Sequence, residues 1–161
     1  MAKKIPAGAK SKIAKAVAEV IRLPDGKYVT RKVMKLVDEA KSRRLRYLGK
    51  TPGKNSRTGR EVIARMRKQG KIKGDPPRLV WKNPDTGKTE HFKLNQCDMG
   101  HHPEDAVSWW NRKGYMYGAK SAEARKWMLD PDNYELQPKG WNRSQGARLA
   151  EQYVDPGSAF L

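Results

Sequence analysis

Between Cys97 and Asp105 the chain reads CDMGHHPED, gathering its one cysteine, two of its three histidines and three carboxylates within nine residues. Side chains of these types bind cations or move protons. A lone cysteine excludes an internal disulfide and a structural zinc site built on cysteine, so any cation must be held by oxygen and imidazole. Cys97 itself reads as an inert strand residue.

The elements that must position this stretch come from a chain of 161 residues, one ordinary domain or one domain with a small extension. No apolar run could span a bilayer, and the opening MAKKIPAGAKSKIAK lacks the apolar core of a signal peptide. The net charge is +18, far beyond what solubility needs and suited to a polyanion. That charge is unevenly placed. Residues 1–74 hold 23 Lys and Arg against 5 Asp and Glu, whereas residues 75–161 hold 12 of each. The asymmetry suggests two parts, a basic clamp over 1–74 and a neutral part over 75–161 that carries something else.

The basic part reads as helical. Ile13, Val17, Val20 and Ile21 recur at helix spacing up to Arg22, and Pro24-Asp25-Gly26 ends the segment. Val29, Val33, Leu36, Val37 and Ala40 predict a second helix that runs on into a cationic stretch containing Arg43, Arg44 and Arg46. A third is expected from Thr58, whose spacing to Glu61 is that of a capping box, with Val62, Ile63 and Met66 facing inward until Gly70. Between the second and third lies GKTPGKNSRTGR, a basic loop able to track a phosphate backbone. Arg43, Arg44, Arg46, Lys50, Lys54, Arg57 and Arg60 are the candidate nucleic-acid contacts; the plainer alternative is a solvated linker.

The neutral part begins with a β-hairpin, Arg78–Asn83 and Lys88–Leu94 about the turn Pro84-Asp85-Thr86-Gly87, and CDMGHH follows it directly. Pro103, Glu104 and Asp105 open a helix that Gly114 stops, and Ser121 caps another ended by Asp130-Pro131. An extended stretch, DNYELQPKGWNRSQGARLAEQY, then leads into a last helix.

A hairpin ending in the acidic residue and histidine of DMGH, followed later by N-x8-N at the mouth of a helix (Asn133 and Asn142), resembles the ββα-metal fold of HNH nucleases. From DMGH through DNYEL to NRSQGA the chain looks most like the GH-E type of HNH/endonuclease VII nucleases, C-terminal toxin domains of bacterial polymorphic toxins. The resemblance covers residues 56–150. It implies an α+β fold: a basic helical N-terminal part, then a ββα-metal (His-Me finger) core with additional helices.

It also implies a set of roles. His101, after Gly100, would be the general base that takes a proton from water, Asp98 a carboxylate ligand and Asn142 the ligand opposite it. Such oxygen ligands suit Mg2+ or Mn2+. The chain departs from the endonuclease VII pattern at Gly100, where an acidic ligand usually stands. The missing oxygen would come from Asp98, or from Glu104 or Asp105. The adjacent pair leaves a second arrangement open, in which His101 binds metal, His102 is the base, and Zn2+ or Ni2+ becomes feasible. Asn133 would hold the base in place, although Asn is also common in turns. Asn142, with Gln145 three residues later, would equally serve as a helix N-cap. Arg143 is the candidate for gripping the phosphate. His91 belongs to the hairpin and reads as structural. Trp109, Trp110, Trp127 and Trp141, with Tyr115, Tyr117 and Tyr134, read as core rather than a base-stacking platform.

The expected activity is metal-dependent, largely sequence-nonspecific hydrolysis of DNA phosphodiesters by a toxin domain that lies downstream in a larger precursor. It would be secreted or delivered by a bacterium into the cytoplasm of a target cell. The producer would need an acidic immunity protein. Two alternatives stand beside it: a non-catalytic nucleic-acid-binding protein with a degenerate HNH-like module, and an RNase toxin working without metal.

Overall fold

The computed structural model describes residues 20–148 and 152–156. The order of elements is β1 (Val20–Arg22), β2 (Tyr28–Thr30), α1 (Arg31–Tyr47), α2 (Arg57–Lys68), β3 (Ile72–Lys73), β4 (Arg78–Lys82) and β5 (Thr89–Lys93). There follow β6 (Cys97–His101), α3 (Ala106–Arg112), α4 (Ala122–Leu129), β7 (Tyr134–Pro138) and α5 (Lys139–Arg148). The fold is α+β, and its described strands form three small antiparallel sheets: β1–β2, β3–β4–β5 and β6–β7.

Most of the expected first helix lies outside the described residues, and its end is strand rather than helix. Val20 pairs with Thr30 and Arg22 with Tyr28. Pro24-Asp25-Gly26 is therefore the turn of a hairpin, with Gly26 at φ +85, and β-branched Val20 and Ile21 suit its strand. The second expected helix is α1, capped by the Thr30 hydroxyl, which accepts from the Val33 N–H. The third is α2, but its cap is Ser56, which accepts from the Gly59 N–H, and not Thr58. Thr58 is buried and donates to the Leu129 carbonyl at 2.7 Å, while Glu61 pairs with Arg57 at 3.0 Å. Tertiary contact has taken the hydroxyl that would have made the capping box.

The hairpin forms as β4–β5, with Leu79 opposite Phe92 and Trp81 opposite Glu90. CDMGH is not an extension of it. The turn Leu94–Gln96 separates it from β5, and it becomes a strand of a different sheet whose partner is β7. Helix α5 packs across both β6 and β7, so the unit around CDMGH is strand, strand and helix, with α3 and α4 inserted between the strands.

A small apolar core gathers Val29, Val33 and Met34 about Leu23, and two larger ones hold most of these parts. One joins Tyr47 and Leu48 from the end of α1 to Trp109 and Trp110 of α3 and to Met128 of α4, with Tyr47 and Trp110 stacked at 4.8 Å. The other joins Val62 and Met66 of α2 and Leu79 of β4 to Met99, Tyr134 and Leu136 of the β6–β7 pair. Both draw on residues from either side of the change in charge at position 74, so packing does not follow the charge boundary. Each fully buried apolar side chain of this kind contributes about 1.5–3 kcal/mol.

Arg65 of α2 shows how the basic part is used internally. Its guanidinium donates to the Pro131 carbonyl at 2.6 Å and to the Tyr134 carbonyl, and reaches Asp132 at 3.4 Å. It thereby ties the turn before β7 to α2. Replacing Arg65 by Met strands those acceptors and should cost about 2–4 kcal/mol in urea unfolding, whereas Arg67→Met, at an exposed position of the same helix, should change stability by less than about 0.5 kcal/mol.

Candidate metal centre on the β6–β7 strand pair

Successive residues of a strand point to opposite faces, and directly opposed residues of an antiparallel pair share a face. The register sets Asp98 opposite Gln137, Gly100 opposite Glu135, Met99 opposite Leu136 and His101 opposite Tyr134. Asp98, Gly100, Glu135 and Gln137 consequently lie on one face, and Cys97, Met99, His101, Tyr134 and Leu136 on the other. The second face is the core. The first is crossed by α5, which carries Asn142, Arg143 and Ser144.

Helix α5 is anchored from both ends of the molecule. Trp141 lies 5.3 Å from Trp81 of β4, and Gly140 approaches Pro24 in the β1–β2 turn. The helix starts at Lys139, immediately after β7. Asn142 is thus inside its first turn and not at its cap, so its side chain is not committed to a capping bond, and its Oδ1 is directed at Gly100.

Gly100 is where the oxygens meet. Its φ lies outside the left-handed region, so backbone geometry does not demand glycine there; space does. A Cβ at this position would overlap Gln137 Oε1 and stand 3.0 Å from Asn142 Oδ1. Gln137 Oε1 is fully buried and has no hydrogen-bond partner, and the same holds for Ser144 Oγ, two residues after Asn142. Asp98 lies on this face, its carboxylate 27% exposed and accepting from Arg143 Nε at 3.2 Å. Two amide oxygens thus meet at the place a side chain on residue 100 would take, on the face that the Asp98 carboxylate shares, a donor set that fits a hard divalent cation.

The other expected ligands are elsewhere. Glu104 makes a two-pronged pair with Arg112 at 2.9 and 2.8 Å, and Asp105 stands at the N-cap of α3, beyond the end of β6. No group of three or more His, Cys, Asp or Glu able to hold a metal occurs among the described residues. Sequence reading, which weighed carboxylates and histidines, missed Gln137 and Glu135. Their alternation in YELQP is the signal that would have found them, once β7 was known to pair with β6.

The histidines part company. His101, on the core face, lies flat on Trp127 at 5.4 Å and against Tyr134 at 4.7 Å. Its Nε2 is enclosed without a partner. Burial, reinforced by the positive charge of Arg44, holds its pKa down at about 3. His102 is 52% exposed, with Nε2 4.0 Å from Glu135 Oε1, itself bound by Lys71 at 2.6 Å. Asn133 fixes the backbone near both histidines: its carbonyl accepts from the His102 backbone N–H at 3.0 Å, and its side chain donates to the carbonyl of Trp127, the residue stacked on His101, at 2.9 Å. His91 lies exposed on β5. Cys97 is buried, its thiol pushed up to about 11 mainly by burial, as suits an inert residue.

The candidate nucleic-acid contacts divide too. Lys54 donates to the Leu94 and Cys97 carbonyls, both at 2.6 Å, fixing the entry to β6. Arg43 donates to the Tyr153 carbonyl at 3.0 Å, and Arg44 Nε is buried. Arg46, Lys50, Arg57 and Arg60 are exposed, Arg57 beside Glu61 and Arg60 reaching the Asn55 carbonyl at 2.7 Å.

His101 has a measurable consequence. Its imidazole takes up a proton near pH 6.5 when the chain is unfolded and only near pH 3 when folded, so below 6.5 the unfolded state binds more protons. Stability is complete above pH 6.5 and falls as the pH drops toward 3, by on the order of 4 kcal/mol across the window. His101→Phe, which keeps a flat ring against Trp127, should unfold with a visibly shallower pH dependence between 6.5 and 4; an unchanged slope in denaturant titrations would contradict this assignment. Comparison with protein-family models, with curated proteins and with solved structures finds no match for this chain.

Proposed function

We propose that this chain is a divalent-metal-dependent nuclease of the ββα-metal type, cutting DNA phosphodiesters without sequence preference. The observation that carries the reading is the meeting of oxygens at Gly100: Asn142 Oδ1 from the helix and Gln137 Oε1 from β7 converge where a side chain on β6 would stand, on the face that Asp98 shares. β6, β7 and α5 would be the two strands and the helix of the ββα-metal core, and the nine-residue step from Asn133 to Asn142 runs through β7 into the first turn of α5.

Asp98 and Asn142 would hold the cation, and an oxygen donor set favours Mg2+ or Mn2+ over Zn2+ or Ni2+. What the cation supplies when bound is positive charge beside the scissile phosphate and the leaving oxygen. The base is better sought at His102 than at His101, because a proton acceptor must reach solvent-borne water. His102 is open to solvent on the face of Glu135, whereas His101 Nε2 is enclosed and burial holds the His101 pKa down at about 3. Glu135 would orient the imidazole, Asn133 fixes the backbone beneath it, and Arg143 would leave Asp98 for a non-bridging phosphate oxygen.

Exposed Arg46, Lys50, Arg57 and Arg60 would track the phosphate backbone, which is all a non-specific cutter needs. A chain of charge +18 released in its own producer would demand an acidic immunity protein. Its place would be the end of a larger secreted or delivered precursor, acting in the cytoplasm of a target bacterium. No described helix is long and apolar enough to cross a membrane.

Supercoiled plasmid should be nicked by the purified protein in Mg2+ and protected by chelator. His102→Ala should slow cutting by about 100-fold or more while leaving DNA retention nearly unchanged. Plasmid intact under every metal would leave a binding protein, and RNA cleavage that resists chelator would leave a metal-free RNase. In filter-binding titrations, replacing Arg46 or Lys50 by Ala should lower the dependence of log affinity on log salt by about one unit for each phosphate no longer neutralised.

A further inference from the structure

Gln137 is the residue that the proposed mechanism leaves unexplained. A buried amide oxygen without a donor costs free energy, and most such atoms in folded proteins find a partner. Gln137 Oε1 is enclosed and unpaired, although it sits on a regular strand with Asp98 directly opposite. It occupies the volume that any side chain at residue 100 would need. Glycine at 100 is therefore required by Gln137, not by its own backbone.

We propose that Gln137 is the third protein oxygen of the metal centre, reaching across from β7 into the space that Gly100 vacates. This rests on the reading of Asp98 and Asn142 as ligands. Where residue 100 would otherwise supply a carboxylate, the neighbouring strand supplies a neutral amide oxygen instead. The protein then contributes a single negative charge to the cation, through Asp98, with two amide oxygens completing its side of the shell. Such a centre takes a hard divalent ion, leaves half of the ion's charge uncompensated by protein, and binds it more loosely than two carboxylates would. The remaining positive charge is available to an anionic phosphodiester.

The same geometry explains how an unpaired oxygen is tolerated. The residue is adapted to a bound ion, so removing it should relieve the metal-free fold while harming metal uptake. A purely structural glutamine would move both quantities in the same direction.

The test is a Mn2+ titration of the full chain followed by electron paramagnetic resonance, with thermal unfolding of the metal-free protein recorded in parallel. Gln137→Leu should weaken Mn2+ binding by about tenfold or more while unfolding at no lower temperature than the parent. Gln137→Glu should bind Mn2+ more tightly than the parent. Gly100→Ala should weaken binding as Gln137→Leu does, and the double variant should be no weaker than either single one, because both changes remove the same oxygen. Parental Mn2+ affinity in Gln137→Leu overturns the assignment. Should that variant not fold, affinity in Gln137→Glu equal to or below the parent's overturns it instead. A parent protein that takes up no Mn2+ overturns the metal centre itself, and with it the proposed function.

Discussion

The pairing of β6 with β7 is the contact on which the rest of the molecule turns. Five residue pairs, from Cys97–Pro138 to His101–Tyr134, assign every side chain of CDMGH to one of two faces. Because the side-chain period of a strand is two, a slip of one residue would send Met99 and His101 to the helix and Asp98 into the core. The core resists such a slip: Met99, Tyr134 and Leu136 are packed on Met66 and Val62 of α2, and Asp98 would be an unpaired buried charge there. Burial of one face thus fixes the chemistry of the other.

The fixed register depends in turn on cationic side chains that have given up the solvent. Arg65 ties down the carbonyls before β7, Lys54 those before β6, and Arg125 of α4 donates to the Leu48 carbonyl at 2.7 Å. Charge-assisted bonds of this kind are worth more than surface ion pairs, since each satisfies a carbonyl that the fold has removed from water. A net charge of +18 therefore overstates the surface offered to a polyanion. Part of the basic excess is scaffolding for the strand pair.

Of the buried side-chain polar atoms without a partner among the described residues, Arg44 Nε and Thr51 Oγ1 lie on α1 and in the loop after it, and the other three lie about the β6–β7 pair. Gln137 Oε1 belongs to the helix-facing side of the strand pair, and Ser144 Oγ is carried by that helix; His101 Nε2 lies on the core side of the pair, on β6, within the field of Arg44. A fold optimised for stability alone would have paired these groups or replaced them with hydrocarbon. Two of them, Gln137 Oε1 and Ser144 Oγ, belong to the side of the pair where the oxygens meet at Gly100.

What the residues announce by themselves follows from local rules. The α1 periodicity, the β4–β5 hairpin around Pro84–Gly87 and the Ser121 cap depend on neighbours within a few positions, so they are legible in the chain and the structure has them. The concentration of reactive types in CDMGHHPED and the spacing of Asn133 and Asn142 are legible in the same way. Other features depend on distant partners. Thr58 yielded its capping role to Leu129, Val20–Arg22 became strand by pairing with Tyr28–Thr30, and CDMGH left the hairpin for β7. The division between His101 and His102, and the appearance of Gln137 beside Gly100, are of this second kind. Adjacent residues on a strand are equivalent until a partner strand and a core decide which face is which, and that decision is made by burial across more than thirty intervening residues.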